Sequence, residues 1–161
     1  MADDVRLTEV RISDDRLDST DGAPLVEALG RELFRRYNFP DADPEGLTAG
    51  HLSPGQRGAF FVAWDGDGAV GCGGIRRYDE ATAEIKRMYV APEARRRGIG
   101  RVVLDALEQR ARELGYGRLI LETGTKQPEA IALYESSAYE RIDNYGTYRD
   151  YELSRCFAKD L

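Results

Sequence analysis

Residues 84–101 constrain the fold of this 161-residue chain more than any other segment. They read EIKRMYVAPEARRRGIGR, an extended apolar run followed by a proline, three consecutive arginines and two glycines. After this loop, apolar residues recur at spacings of three and four, which predicts an amphipathic helix over 99–114. The apolar face consists of Ile99, Val103, Ala106, Leu107 and Leu114. The segment therefore predicts a strand, a loop and a helix in succession.

The loop before this helix has the composition of an anion-binding site. No Ser, Thr, Asp or Asn stands directly before Ile99 to cap the first N–H groups of the helix. A bound anion would accept hydrogen bonds from these groups and interact favourably with the helix dipole, and Gly98 and Gly100 allow close approach. Positive charge comes from Arg95, Arg96, Arg97 and Arg101. These residues indicate a phosphate site, and a solvated basic loop is the alternative.

Two motifs resemble those of a known superfamily. Residues 95–100, RRRGIG, match the acyl-CoA-binding signature Arg/Gln-x-x-Gly-x-Gly/Ala of the GNAT acyltransferases. Residues 126–142, KQPEAIALYESSAYERI, resemble the later helix and strand of that family, which usually contain Leu-Tyr-x-x-x-Gly-Phe/Tyr. Two departures are Arg96 and Ala138, which stand where glycine is common. On these motifs the chain is identified as a GNAT N-acetyltransferase.

The resemblance implies one α/β domain over residues 1–161. In the GNAT fold a largely antiparallel mixed sheet contains one splayed pair of parallel strands, has helices on both faces, and holds the pantetheine arm of CoA in the gap. Hairpin and periodicity signals independently favour a mixed sheet with one strand-helix-strand crossover. Strands are predicted at 5–12, twice within 59–78, and at 83–90, 117–123, 139–142 and 148–157. Helices are predicted at 21–39, 99–114 and 128–136, with a loop over 40–58.

The resemblance also implies roles for particular residues, with acetyl-CoA as co-substrate. Glu84 is the preferred general base, Tyr134 the acid that protonates the CoA thiolate, and Glu122 the reserve base or a substrate-binding carboxylate. Main-chain donors near residues 88–90 would bind the thioester carbonyl. The expected cofactor-binding residues are Met88, Tyr89, Val90, Arg95, Arg96, Arg97, Gly98, Ile99, Gly100 and Arg101.

Structural roles remain open for the same side chains. Glu84 lies two residues from Lys86, on the same strand face, and a surface ion pair would explain it equally well. Tyr134 is also suited to anchoring its helix by packing. The tyrosines near the C-terminus serve either an acceptor pocket or strand packing: Tyr139, Tyr145, Tyr148 and Tyr151.

The charge distribution argues against extended nucleic acid as a partner. The net charge is −6, and residues 86–118 carry nine Lys/Arg against four Asp/Glu. This segment is therefore +5 and the remainder is −11, so the basic surface is local. We expect a polyanionic cofactor there, and the acidic remainder favours a cationic substrate or serves solubility alone.

Other classes of site find little support in the sequence. His51, the only histidine, and two distant cysteines, Cys72 and Cys156, do not form a ligand set, so no metal is expected. Neither cysteine lies near the signature, which favours direct transfer over an acyl-enzyme. No membrane span or signal peptide is recognisable, and we expect a cytoplasmic protein.

The sequence thus predicts acetyl transfer from acetyl-CoA to a primary amine of a small molecule or peptide. The rival hypotheses are a domain that binds acetyl-CoA and regulates a partner without turnover, and an arginine loop that contacts RNA or a phosphorylated partner. The C-terminal strands are candidates for edge pairing in a homodimer.

Overall fold

A seven-stranded mixed sheet frames the protein in a computed structural model that describes residues 10–38 and 46–161. The strand order is β1-β2-β3-β4-β5-β7-β6, in which β4 and β5 are parallel and the other neighbouring pairs are antiparallel. The strands are β1 (Val10–Asp14), β2 (Ala59–Asp65), β3 (Gly68–Arg77), β4 (Thr82–Val90), β5 (Arg118–Gly124), β6 (Glu140–Ile142) and β7 (Ser154–Asp160). The helices are α1 (Gly22–Tyr37), α2 (Ile99–Glu113) and α3 (Pro128–Ser136). This architecture confirms the predicted GNAT fold.

Helices cover both faces of the sheet. Leu25 and Leu29 of α1 pack into an apolar cluster on one face. The predicted apolar stripe of α2 packs into the cluster on the other face, together with Tyr134 of α3. Strand β2 contributes to both clusters, which explains its almost uninterrupted apolar sequence. The central strands are therefore buried on both sides and form a stable base for the adjoining loops.

The parallel pair β4 and β5 separates part-way along its length. Within the described residues, the two strands pair only where residues 82–84 of β4 face residues 118–120 of β5. Beyond that point β4 continues to Val90 and β5 to Gly124 without a shared ladder. The splayed strands implied by the family resemblance are therefore present.

A β-bulge interrupts β4 within its splayed half. Two of its residues, Arg87 and Met88, lie opposite the single residue Gly73 of β3. Arg87 has a φ of 60°, a left-handed conformation. A Cβ atom on Gly73 would lie 2.5 Å from the Met88 sulfur, so any larger residue would force the neighbouring side chains to move. The bulge bends β4 at the edge of the gap between the strands.

The predicted strand over 148–157 is wrong in its first half. Residues 146–153 instead form a 3₁₀ turn and a second tight turn, and β7 begins at Ser154. The Tyr151 N–H bonds the Tyr148 carbonyl at 3.1 Å, and the Ser154 N–H bonds the Tyr151 carbonyl at 3.1 Å. These local bonds, together with a φ of 56° at Gly146, override the strand preference of the tyrosines.

Other element boundaries shift by a few residues. Strand β1 extends to Asp14, and residues 5–9 of the predicted strand lie outside the described ranges. Helix α1 ends at Tyr37, where Asn38 adopts a φ of 55° and donates its N–H to the Phe34 carbonyl. The last predicted helical residue, 39, also lies outside the described part.

The predicted loop contains ordered turns where it is described. Two 3₁₀ helices, Ala49–Leu52 and Pro54–Gln56, lead into β2, and Leu52 is buried. The Thr48 N–H donates to Nδ1 of His51 at 3.0 Å, so this histidine closes a turn. Residues 40–45 of the predicted loop lie outside the described ranges.

Candidate active site

A cavity of about 1100 Å³ occupies the region where β4 and β5 separate. Its walls come from the last turns of α1, residues 85–90 of β4, the loop and first residues of α2, the end of β5, one side of α3, and residues 148–154. The cavity therefore joins the arginine-rich loop to the splayed strands.

The arginine-rich loop enters α2 through left-handed backbone. Arg96 has a φ of 63° and Gly98, the N-cap residue, a φ of 79°. No side-chain hydrogen bond caps the helix, as the sequence predicted. A helix N-terminus preceded by such turns is a favourable site for an anion. Arg96 adopts the conformation for which glycine is favoured, which gives a physical reason for glycine at this place in related signatures.

The four arginines of the loop have different environments. Arg95 donates to both carboxylate oxygens of Glu32 at 2.8 and 3.0 Å and to the Val90 carbonyl at 2.9 Å. Arg97 donates to Asp65 at 2.7 Å and is absent from the cavity wall formed by the described residues. Arg96 and Arg101 line the cavity, and Arg101 lies 3.6 Å from Asp105 in an exposed pair. Arg95 and Arg97 thus brace the loop, and Arg95 also lines the cavity together with Arg96 and Arg101.

The remaining predicted cofactor residues also form part of the wall. They are Met88, Tyr89, Val90, Gly98, Ile99 and Gly100. Ile99 is also a core residue of α2, which fixes the helix end against the sheet. A Cβ atom on Gly100 would lie 3.3 Å from the Leu133 side chain of α3, so this glycine permits the two helices to approach closely.

Glu84 lies in the paired half of β4 and is only 1 % exposed. Its Oε1 accepts from Arg76 Nε at 2.8 Å, and its Oε2 accepts from the Tyr145 hydroxyl at 2.6 Å. The Nζ atom of Lys86, the alternative partner predicted from the sequence, lies 3.7 Å from Glu84 Oε1. Burial and the Glu84 charge raise the pKa of Tyr145, so this phenol remains a donor. Glu84 is not among the described residues that line the cavity.

Glu122 lies in the splayed half of β5 and lines the cavity. Ser154 approaches its Oε1 from β7 with an Oγ–Oε1 distance of 3.4 Å. Burial raises the pKa of Tyr134, and the Glu122 charge raises it further. The Glu122 charge also raises the pKa of Tyr37, for which burial is again the larger cause. The negative charge of Glu122 therefore acts on tyrosines of both α1 and α3.

Tyr134 projects from α3 into both the core and the cavity wall. Its ring lies 5.7 Å from that of Tyr139 and 6.3 Å from that of Phe157. Its hydroxyl makes no hydrogen bond within the described ranges. Because its pKa is raised, the phenol keeps its proton at neutral pH and can act as a hydrogen-bond donor or acid. Packing of the ring and availability of the hydroxyl are therefore compatible.

Two polar residues of the cavity wall, Lys86 and Thr123, were not predicted from the sequence to line the site. Lys86 is buried, and its Nζ donates to the Tyr148 hydroxyl at 2.8 Å, which holds residues 146–148 against β4. Thr123 is 5 % exposed, and its hydroxyl has no hydrogen-bond partner among the described residues, although it lines the cavity. Its place after an apolar strand run was the only available signal.

The C-terminal tyrosines divide between the two roles considered. Tyr148 and Tyr151 line the cavity. Tyr145 binds Glu84, and the Tyr139 hydroxyl donates to Glu108 at 3.2 Å within the core. Phe34 also lines the cavity; it had no recognisable signal beyond its place near the end of α1.

Residues 10–38 and 46–161 also bear on two other classes of site, metal centres and membrane spans. No group of three or more His, Cys, Asp or Glu side chains there could hold a metal ion. In those same ranges, no helix has the length and apolar character needed to cross a membrane.

Comparison with known proteins agrees with this geometry. An uncharacterized N-acetyltransferase of Bacillus subtilis, YsnE, is 34 % identical over 150 residues, which cover 91 % of this chain and 98 % of the relative. A crystal structure from Klebsiella pneumoniae, described as an acyl-CoA N-acyltransferase, matches with a TM-score of 0.79 and 30 % identity over 96 % of this chain and 99 % of its own. A GNAT acetyltransferase from Elizabethkingia anophelis, solved with acetyl-CoA bound, shares the fold with a TM-score of 0.67 at 18 % identity, covering 94 % of this chain and 98 % of its own.

The family model of the acetyltransferase (GNAT) family matches residues 25–139, from α1 through α3. This range includes the arginine-rich loop, the splayed strands, Glu122 and Tyr134. The chain belongs to the GNAT acetyltransferase family.

Proposed function

We propose that this protein transfers the acetyl group of acetyl-CoA to a primary amine of a small molecule or peptide, directly within a ternary complex. The observation that carries the proposal is the single cavity that joins the uncapped end of α2 to Glu122 and Tyr134. Acetyl-CoA supplies an activated thioester when it is bound.

The chain offers complementary groups for each part of that co-substrate. The N-terminus of α2, with Arg96 and Arg101, suits the pyrophosphate. The gap between β4 and β5 suits the pantetheine arm, and the main chain at 88–90 offers candidate donors for the thioester carbonyl. This assignment makes the bulge of β4 part of the reaction site.

Proton transfer is proposed to involve Glu122 and Tyr134. The amine nitrogen forms a bond to the thioester carbon, and the carbon–sulfur bond breaks. Glu122 accepts the proton that the amine loses, and Tyr134 donates a proton to the departing thiolate. The cavity-facing position of Glu122 supports this choice, whereas the contacts of Glu84 favour a positioning role.

The test is acetyl-CoA binding by calorimetry, followed by thiol release and mass spectrometry of products from a panel of primary amines. Binding and amine-dependent formation of an N-acetyl product are expected. Bound acetyl-CoA with no acetylated amine would overturn transferase activity toward this class and favour the regulatory hypothesis. Absence of binding would overturn both.

Gly98→Val tests the proposed phosphate loop, with Gly117→Val as matched control. A side chain would meet open space at both positions, but only Gly98 has a positive φ, of 79°. A β-branched residue there must distort the loop, and we expect acetyl-CoA affinity to fall about tenfold or more. The control should bind within twofold of the parent; equal affinities for all three proteins would remove the loop from the cofactor site.

A further inference from the structure

Exposed apolar side chains are concentrated around the cavity. Among the described residues, five large apolar side chains are exposed: Phe34, Tyr78, Val102, Tyr151 and Leu153. Phe34, Tyr151 and Leu153 are 51, 48 and 42 % exposed, and all three line the cavity. Isolated exposed apolar residues are common, but several around one cavity mark a binding surface. We call these three residues the apolar rim.

The apolar rim lies close to Glu122. Leu153 directly precedes Ser154, whose hydroxyl lies 3.4 Å from the Glu122 carboxylate. Phe34 lies three residues before Tyr37 on α1, so both point from the same helix face into the cavity. The Tyr37 hydroxyl donates to Gln127 Oε1 and accepts from the Lys126 N–H, both at 3.1 Å, just beyond the end of the strand that carries Glu122. A cation at Glu122 would therefore have apolar surface beside it.

Two residues of the apolar rim, Tyr151 and Leu153, are also separated from the phosphate loop. Tyr151 belongs to the turn whose first tyrosine, Tyr148, is held by Lys86. Along β4, Lys86 lies four residues before Val90, where the loop begins, a separation of about 13 Å at the usual rise per strand residue. The wall that carries Tyr151 and Leu153 thus adjoins the acceptor end of the cavity proposed above.

We infer that the acceptor is a primary amine that carries an apolar group, which packs on the apolar rim while Glu122 binds the ammonium group. This inference rests on the proposed transferase function and specifies its substrate class. A cation without apolar bulk, such as a polyamine, would leave the rim uncovered.

The test compares phenethylamine with ethylamine as acceptors, because the two share the same amine and differ by the ring. The parent enzyme should have at least a tenfold higher kcat/KM for phenethylamine. Leu153→Ala and Phe34→Ala should each reduce the ratio of the phenethylamine value to the ethylamine value about fivefold. Val102→Ala, an exposed apolar residue absent from the described cavity wall, should change neither.

Calorimetry with acetyl-CoA separates the outcomes. Rim variants that keep parental acetyl-CoA affinity and lose the preference for the ring support the inference. Weaker acetyl-CoA binding by the same variants would assign the rim to the pantetheine arm and overturn it. Efficient transfer to ethylamine or spermidine with no gain for phenethylamine would overturn the substrate class but preserve the transferase proposal. No transfer to any amine would overturn both.

Discussion

The paired and splayed halves of β4 and β5 place a glutamate in contrasting environments. In the paired half, Glu84 is 1 % exposed and is bound by Arg76 and Tyr145. In the splayed half, Glu122 lines the cavity near the hydroxyl of Ser154. Removing one partner from a buried, hydrogen-bonded ion pair destabilises the fold, whereas a carboxylate on a cavity wall can meet a substrate. The separation of the two strands therefore decides which glutamate lines the cavity.

The largest expected effect is on turnover in Glu122→Gln. Glutamine preserves the size of the side chain and an oxygen for Ser154, but it cannot accept a proton at neutral pH. We expect kcat/KM to fall about 10²–10³-fold, as measured by thiol release. Acetyl-CoA affinity should remain within threefold by calorimetry. Activity equal to the parent from pH 6 to 9 would exclude Glu122 as the base.

Glu84→Gln should instead act on stability. The substitution removes the negative charge between Arg76 and Lys86, and loss of one partner from a buried pair costs about 3 kcal/mol of unfolding free energy. Urea unfolding measures this loss, and Glu80→Gln, at an exposed acid, should stay within about 0.5 kcal/mol. Unchanged stability with abolished turnover would support the base role predicted for Glu84 from the sequence.

Local signals in the sequence were sufficient to predict the uncapped helix α2 and the loop before it. The apolar period of α2, its missing cap and its two glycines all lie within one short segment, and the structure has each feature. The bracing roles of Arg95 and Arg97 could not be predicted in this way. Their partners, Glu32 and Asp65, lie 63 and 32 residues away along the chain. Only the folded chain brings these arginines next to their carboxylate partners.

The different surroundings of Glu84 and Glu122 could not be predicted from the sequence either. Both lie in predicted strands, and the difference depends on where the strands separate, near a bulge that includes Arg87. The turn over 146–153 was misassigned because its tyrosines favour strands. A bond from Lys86 to Tyr148, 62 residues apart, helps hold the observed turn. Sequence therefore predicted the loop and helix α2 better than the remaining walls of the cavity.

Tyr134→Phe tests whether the splayed half also supplies the acid. We expect kcat to fall about 100-fold because phenylalanine cannot donate a proton to the thiolate. Thermal stability should change little, since the hydroxyl has no partner among the described residues. A raised pKa means that the protonated form persists to higher pH, so Tyr134 should cause no alkaline loss of kcat between pH 6 and 9. A variant that keeps the parental kcat would exclude Tyr134 as the acid and would mean that its role is packing only.

Thr123→Val should have the smallest effect and should separate stability from binding. The Thr123 hydroxyl is buried without a partner in the described ranges, and it lies on the cavity wall. Removing an unsatisfied buried hydroxyl should raise the unfolding free energy by about 1 kcal/mol. If a ligand in the cavity normally bonds this hydroxyl, the same variant should bind acetyl-CoA about threefold to tenfold more weakly.

Thr123→Ser provides the matched control because it retains the hydroxyl. It should keep parental acetyl-CoA affinity in calorimetry, while the valine variant loses affinity and gains stability in urea unfolding. Opposite changes in stability and affinity would mean that this part of β5 is arranged for a ligand rather than for the folded state alone. A valine variant that gains stability and binds acetyl-CoA as the parent does would show that the hydroxyl is not used by this co-substrate, and the acceptor would become its remaining candidate partner.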